Sequence, residues 1–479
     1  MAQEHGDRLT AVDASFIAQE GPAAHMHVGA ICIFEGPPPS YDDLAEHIRS
    51  RLHLVPRFRQ KLAFPPVPTG RPFWVDDPAF NLSYHVRHSA LPSPGSEEQL
   101  RRMAARIFSQ QLDRTKPLWE LWLVQGLTRK RFAFVTKTHH ALVDGVSGVD
   151  IATVLFDVKP VPEPAEPEHE WVPEPEPSAA TLLAKDAEGL ASAPLRLARR
   201  IEQAVEHPDA TLHQASEALS GLGEVGWNFA NPAPETPLNV EIGPHRRFSW
   251  VRGDLAQFKR IKDALGGTVN DVVLAVVTGG LREWLQARGV RTEGLELRAQ
   301  VPVSIRAKDE RGQLGNRLAV VRAPLPVYIE DPLKRLSVVR EAMEGIKGSK
   351  QALGAEVISR MNDFAPPTLL AQAARINFST RLFNAVVTNV PGPQIPLYVL
   401  GRELQDIFPV GFLPPNQALF LAVMSYNGSI NFGLLADYDA IEDADELAAS
   451  LERATAELLA AAEEAAADRE RAESERTPA

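Results

Sequence analysis

The sequence predicts a mixed α/β (α+β) fold built as two domains, and three features predict it. At 479 residues the chain is longer than one hydrophobic core usually serves. Segments of helical and of strand period interleave in both halves, as layered α/β architectures require. Between the halves, from Lys159 to Ser178, Pro160, Pro162, Pro164, Pro167, Pro173, Pro175 and Pro177 break every regular pattern. The division expected from this is an N-terminal domain over 1–158, a proline- and glutamate-rich linker with connecting helices over 159–236, a C-terminal domain over 237–466 and a polar tail over 467–479.

The elements follow in order. Met26 to Phe34 is rich in strand formers, and Ser40-Tyr41-Asp42-Asp43 then carries a capping signature for a helix running toward Leu52. Ser96 with Gln99 opens a second helix, to about Gln111. The apolar runs Trp119 to Val124 and Phe132 to Thr136, separated by Gly126 and Arg129-Lys130-Arg131, predict neighbouring strands joined by a turn. The pair His139-His140 falls where the second of these strands ends. The proline-rich run reads as an exposed acidic tether, and Ala179 to Leu222 as one or two helices. Helices are predicted over Asp254 to Leu265, Val269 to Gln286 and Pro332 to Lys347. Strands are predicted over Leu297 to Ile305, Leu318 to Leu325, Asn384 to Asn389, Leu419 to Ser425 and Ile430 to Leu435. An alanine- and glutamate-rich helix from Ala444 to about Arg471 closes the chain.

Composition narrows the function classes. A formal net charge of -12 gives no overall pull toward nucleic acid. Cys32 is the only cysteine, which rules out an internal disulfide, a thiolate metal cluster and a Cys-x-x-Cys pair, and suits a reducing compartment. Met1 to Thr10 are polar and are not followed by a signal-type apolar segment, and no stretch reaches bilayer length. The expectation is a cytoplasmic protein with, at most, peripheral contact with a membrane.

The run His139-His140-Ala141-Leu142-Val143-Asp144-Gly145 carries the chemistry. Acyl transfer to an alcohol needs a base for the hydroxyl proton, donors for the oxyanion, and a site that aligns both substrates. Histidine suits the first task, because its ordinary pKa of about 6.5 leaves it largely neutral at pH 7. Here it ends a predicted strand, a carboxylate follows four residues later, and Gly145 permits a sharp turn.

His139 to Gly145 resembles the HHxxxDG signature of the CoA-dependent acyltransferase superfamily, and its surroundings resemble the bacterial wax ester synthase/diacylglycerol acyltransferase branch. Pro117-Leu118-Trp119-Glu120 is similar to that branch's PLW motif, and Asn270-Asp271-Val272-Val273-Leu274-Ala275 to its ND motif. Val301-Pro302-Val303-Ser304-Ile305-Arg306 with Gly315-Asn316, Asn389-Val390-Pro391-Gly392-Pro393, and Ser425-Tyr426-Asn427-Gly428 resemble further blocks. The likeness runs from Leu9 to Asp439. Phe412 departs from it, standing where the family usually has a proline.

The resemblance implies two chloramphenicol-acetyltransferase-like domains with a substrate tunnel between them. It implies that acyl-CoA and a diacylglycerol or long-chain alcohol meet at His140. His140 would deprotonate the hydroxyl for direct attack on the thioester in a ternary complex, with acyl-CoA as co-substrate and no cofactor. Asp144 would fix the catalytic loop by pairing with an arginine, for which Arg306 is the candidate, and Asn270, Asp271, Ser304 and Arg306 are candidates for substrate or oxyanion contacts.

Other readings compete. Two histidines and an aspartate are plausible metal ligands, but adjacent histidines on a strand point apart and nothing completes the shell, so no metal is expected. No G-x-S-x-G elbow occurs, which disfavours a serine hydrolase. Thr268 and Asp271 fit a capping box, Pro117, Leu118 and Trp119 fit wall packing, and Asn389, Pro391 and Gly392 fit a rigid turn. Ala193 to Ala204 and Pro367 to Phe383 have the composition of interfacial helices, and equally of amphipathic core helices. A carrier-protein-dependent acyltransferase and a catalytically silent lipid-binding protein remain alternatives, the second disfavoured by the intact His140 and Asp144.

Overall fold

In this computed structural model, which describes residues 7–66, 71–142, 154–161, 171–191, 231–304, 318–348 and 382–476, the start signals of the first half do what their chemistry suggests. The elements are β1 (Asp7–Arg8), α1 (Ala11–Gln19), β2 (His27–Glu35), α2 (Tyr41–Arg49), β3 (Gln60–Ala63), β4 (Phe73–Asp76), α3 (Leu82–His85), β5 (Val86–Ala90), α4 (Glu97–Phe108), β6 (Trp119–Leu127) and β7 (Arg131–His139). The Ser40 hydroxyl accepts from the Asp43 N–H, and Ser96 and Gln99 complete a reciprocal box. Helices α2 and α4 stop at Arg49 and Phe108, a little short of expectation. Strands β6 and β7 are antiparallel, and Arg129 and Lys130, both at positive φ, form the turn between them.

The second half contributes α5 (Ala179–Ala191), β8 (Arg246–Asp254), α6 (Leu255–Leu265), α7 (Val269–Ala287), β9 (Leu297–Ser304), β10 (Leu318–Leu325), α8 (Pro332–Gly348), β11 (Ala385–Pro391), β12 (Tyr398–Val399), β13 (Arg402–Val410), β14 (Leu419–Tyr426), β15 (Ser429–Asp437) and α9 (Ala444–Arg476). Two six-stranded sheets result, ordered β12-β13-β2-β7-β6-β5 and β10-β9-β11-β14-β15-β8, with a small β1-β4-β3 sheet beside them. Both large sheets are mixed: β5 runs parallel to β6, and β11 parallel to β9 and β14.

The first large sheet is not made of the first half alone. Strand β13 pairs antiparallel with β2, Ile407 opposite Cys32 and Val410 opposite Gly29. It also lies against β15, where a Cβ on Gly433 would come 1.8 Å from the Pro409 carbonyl oxygen, so the two sheets meet only because that residue is glycine. Asn431 Nδ2 donates to the Ile407 carbonyl across the same join, at 3.1 Å. The core follows suit: Met26, Ile31, Leu100 and Phe108 share one buried cluster with Trp250, Phe408, Phe412 and Leu421. Trp250 stacks on Phe408 with centroids 4.3 Å apart, and Arg252 ties Glu97 of α4 to Asp406 of β13.

Residues 162–170 of the proline-rich run lie outside the described residues; 171–178 are largely exposed but are tied to the N-terminal half at several points. Trp171 lies under the Arg59 guanidinium and edge-on to Phe80, Glu176 pairs with Lys61 at 3.0 Å, and the Glu174 N–H donates to Asp76. The Trp171 ring, the Glu176 carboxylate and the Glu174 N–H fasten this described part of the run to β3, β4 and the residues beside them, contacts that composition could not show. Ala193 to Ala204 and the 367–381 part of the second interfacial candidate lie outside the described residues. Among the described residues no single helix is long and apolar enough to cross a membrane; only α6 and α7, bent by 101° at their junction, pass on composition together, and α7 is buried in the core.

Candidate active site

Strand β7 delivers the histidine pair. The His139 N–H donates to the Leu118 carbonyl at 3.0 Å, and the His140 N–H to the Met26 carbonyl at 2.9 Å. Beyond this clamp the chain leaves strand geometry for a 3-10 turn over His140–Leu142. The two rings, as expected from the alternation of a strand, enter different surroundings.

The His139 ring is wholly buried. Its Nδ1 accepts from the Ala141 N–H at 3.0 Å, which places its proton on Nε2, and Nε2 faces Glu20 Oε2 at 3.7 Å. The Glu20 carboxylate also receives Arg114 Nε at 2.6 Å and lies 3.5 Å from Nε2 of His27, the residue opposite His139 on β2. Burial pushes the His139 pKa down to about 3 against the opposing pull of Glu20, and pushes His27 well below its usual value.

His140 is half-buried between aromatic rings from the two halves of the chain. Phe16 of α1 stacks on it with centroids 4.1 Å apart, and Phe412, just after β13, meets it edge-on at 5.6 Å. This enclosure pushes its pKa down to about 4, and Nδ1 is buried without a hydrogen bond. At pH 7 the imidazole is neutral and has a free lone pair. An unprotonated base held by stacking can accept a proton from a hydroxyl brought beside it.

The other motif residues divide. Pro117, Leu118 and Trp119 are buried; Trp119 donates from Nε1 to the Phe58 carbonyl at 2.8 Å and stacks on His85, so this block packs while its Leu118 carbonyl positions His139. Thr268 and Asp271 form a complete capping box at the start of α7, with Asp271 Oδ2 accepting both the N–H and the hydroxyl of Thr268 at 2.8 Å. Asp271 therefore acts as a helix cap in this structure. Asn270 Oδ1 accepts from Asn389 Nδ2 at 3.4 Å, which brings two distant motif blocks together. In the second block Pro391 pairs with Ser425, and a Cβ on Gly392 would lie 2.2 Å from the Ser425 carbonyl oxygen, so glycine is required there. Ser304 ends β9 opposite Leu318. Asp144, Gly145 and Arg306 lie outside the described residues, and with them the expected pairing of Asp144 with Arg306.

Sequence reasoning missed Phe16, Glu20, His27 and Arg114. The signal available was faint: His25 stands two residues before His27, which opens β2, and Glu20 follows an apolar helix. Phe412 was noted only as a departure. Among the described residues no group of three or more His, Cys, Asp or Glu could hold a metal ion. Cys32 is buried, its thiol pushed up to about 12 by burial.

Residues 9–273 match the family profile of the wax ester synthase/diacylglycerol acyltransferase catalytic domain, and residues 314–459 that of the C-terminal domain of the same family. A probable diacylglycerol O-acyltransferase of Mycobacterium tuberculosis (strain ATCC 25618 / H37Rv) is 32% identical over 458 residues, covering 95% of this chain and 96% of that protein. A Mycobacterium bovis (strain ATCC BAA-935 / AF2122/97) relative named for the same activity is 33% identical over 459 residues, covering 94% and 98%. The structure of the wax ester synthase/diacylglycerol acyltransferase from Marinobacter aquaeolei VT8 superposes with a TM-score of 0.67 at 28% identity, over 95% of this chain and 99% of that one. The first condensation domain of the calcium-dependent antibiotic synthetase, at 16% identity and a TM-score of 0.56 over 97% of each chain, shares the fold. With more than half of its residues under the catalytic profile and its relatives matched over nearly their whole length, the chain belongs to the wax ester synthase/diacylglycerol acyltransferase family.

Proposed function

We propose that the protein transfers a long-chain fatty acyl group from acyl-CoA to the free hydroxyl of diacylglycerol, forming triacylglycerol, and that long-chain alcohols serve as further acceptors. His140 is the general base in this reading. It takes the hydroxyl proton as the oxygen attacks the thioester carbonyl; the C–S bond then breaks, and the proton passes to the departing CoA thiolate. Both substrates are bound together and no acyl-enzyme forms. The observation that carries the reading is the neutral imidazole of His140, held between Phe16 and Phe412 where the two halves of the chain meet. The names of the matched relatives support the acceptor.

Asp144 and Arg306 are assigned to fixing the loop after His140, with Gly145 supplying its turn. Ser304 and the amide pair Asn270 and Asn389 are assigned to the border of the substrate passage between the halves. The acceptor is a membrane lipid, so the protein meets it by peripheral contact with a membrane face or lipid inclusion. The test is purified protein with labelled acyl-CoA or acyl carrier protein, offered diacylglycerols and alcohols, with free thiol and ester followed over time. Ester and CoA released in equal amounts, abolished in His140→Ala, uphold the proposal. Ester formation from the carrier protein alone, or an unimpaired variant, overturns it.

A further inference from the structure

From the buried side chains behind the histidine pair, we infer that Glu20 is a positioning residue for acyl transfer: its carboxylate locks the His139 ring and, through that ring, the turn that presents His140. The inference rests on the reading of His140 as the base.

A proton inventory leads to it. The Ala141 N–H occupies Nδ1 of His139 at 3.0 Å, so the one proton of this neutral ring sits on Nε2, 3.7 Å from Glu20 Oε2. The other tautomer would point an Nδ1–H at the Ala141 N–H, donor against donor, and release the first residue after His140 from its anchor. A carboxylate near Nε2 favours the proton there and so selects the tautomer that holds the turn. Nε2 makes no hydrogen bond among the described residues, so the Glu20 carboxylate acts on it through its charge at 3.7 Å.

The carboxylate is built into its place. Its side chain is 2% exposed, and an uncompensated charge so deep would be costly. Arg114 supplies the compensation, donating from Nε to Glu20 at 2.6 Å and from Nη2 to the Ile17 carbonyl at 2.9 Å. Glu20 is also the C-cap of α1, the helix whose Phe16 stacks on His140. One residue thus ties both supports of the base together: the ring against it and the turn beneath it. The role is geometric. Glu20 raises the pKa of its neighbour His139, whereas that of His140 is governed by burial.

Glu20→Ala, Glu20→Gln and the wild type decide the matter through steady-state kinetics with acyl-CoA and diacylglycerol, and through the imidazole nitrogen NMR signals of histidine-labelled protein. Glu20→Ala is expected to lower kcat about 10- to 100-fold, with little change in KM for acyl-CoA and the acid limb of kcat unmoved. In the spectra His139 loses its Nε2–H form. Glu20→Gln keeps an acceptor oxygen for that N–H and is expected to recover kcat to within about fivefold of wild type. A Glu20→Ala variant with wild-type kcat and an unchanged His139 tautomer overturns the inference, as does Glu20→Gln falling as far as Glu20→Ala. If Glu20→Ala fails to fold, Glu20→Gln alone carries the test on the same two readouts. If the wild type makes no ester, the proposed function fails, while the tautomer measurement still upholds or overturns the lock.

Discussion

An imidazole works best as a general base when it is empty at the working pH, and burial beside the rings of Phe16 and Phe412 keeps His140, the base proposed above, empty. His140→Ala is expected to reduce kcat by about 10²- to 10⁴-fold with the fold retained, read from CoA release and circular dichroism. The pH dependence has a definite sign. Since the His140 pKa is pushed down to about 4, kcat/KM stays level from pH 8 through pH 6 and declines only toward pH 4. An acid limb near 6.5 contradicts the burial of this ring. Removing one wall tests the cause: Phe16→Ala admits water to the ring, so the acid limb moves up toward 6.5, and an unmoved limb excludes stacking as its origin. At this scale the sequence disclosed the two histidines through their motif. It could not disclose Phe16, Glu20 or Phe412, which come from remote segments and carry no pattern until the chain has folded.

Elements were legible where a local signal starts or stops them. Thr268 with Asp271 marked the start of α7, and the structure completes the box on both sides. Thr268→Ala is expected to cost about 1 kcal/mol in denaturant unfolding, and a change within experimental error counts against the cap. Strands β8 and β13 and helix α1 escaped the sequence reading. Arg402 to Val410 mixes charged residues with apolar ones and contains Pro409, which argues against a strand, yet β2 and β15 accept it as a shared border. Arg246 to Asp254 mixes three arginines with Phe248, Trp250 and Val251 without a clean polar alternation, and the packing of Trp250 on Phe408 places it in the core.

For the molecule as a whole, buried neutral histidines set the acid side of stability. Burial pushes His85 down to about 4 and His139 to about 3, while an unfolded histidine titrates near 6.5. Below pH 6.5 the unfolded chain binds protons the native state refuses, so stability falls with pH by at most about 1.4 kcal/mol per unit per such histidine, until the folded values are reached. Glu97 adds to this at lower pH. Burial works against it, but the guanidiniums of Arg252 and Arg131 hold its carboxyl below the usual range, so its contribution is present above about 4.5 and lost on further acidification. Unfolding midpoints measured from pH 7.5 to 4 are expected to drop steadily below 6.5, and a flat profile refutes the linkage. The join between the sheets makes a separate demand: Gly433→Val drives a side chain into the Pro409 carbonyl, and a variant as stable as wild type disproves the close approach.

By itself the sequence determined the class of fold, the existence of most helices and strands, the family and the histidine on which the chemistry is proposed to turn. Those follow from local propensity, capping and motif spacing, which neighbouring residues carry among themselves. Only the tertiary structure decided that β13 crosses into the first sheet, that Trp171 and Glu176 anchor the proline-rich run, and that Phe16, Phe412 and Glu20 surround the histidine pair. Each of these depends on burial and contact between residues far apart in the chain, and such proximity exists only after the core has closed.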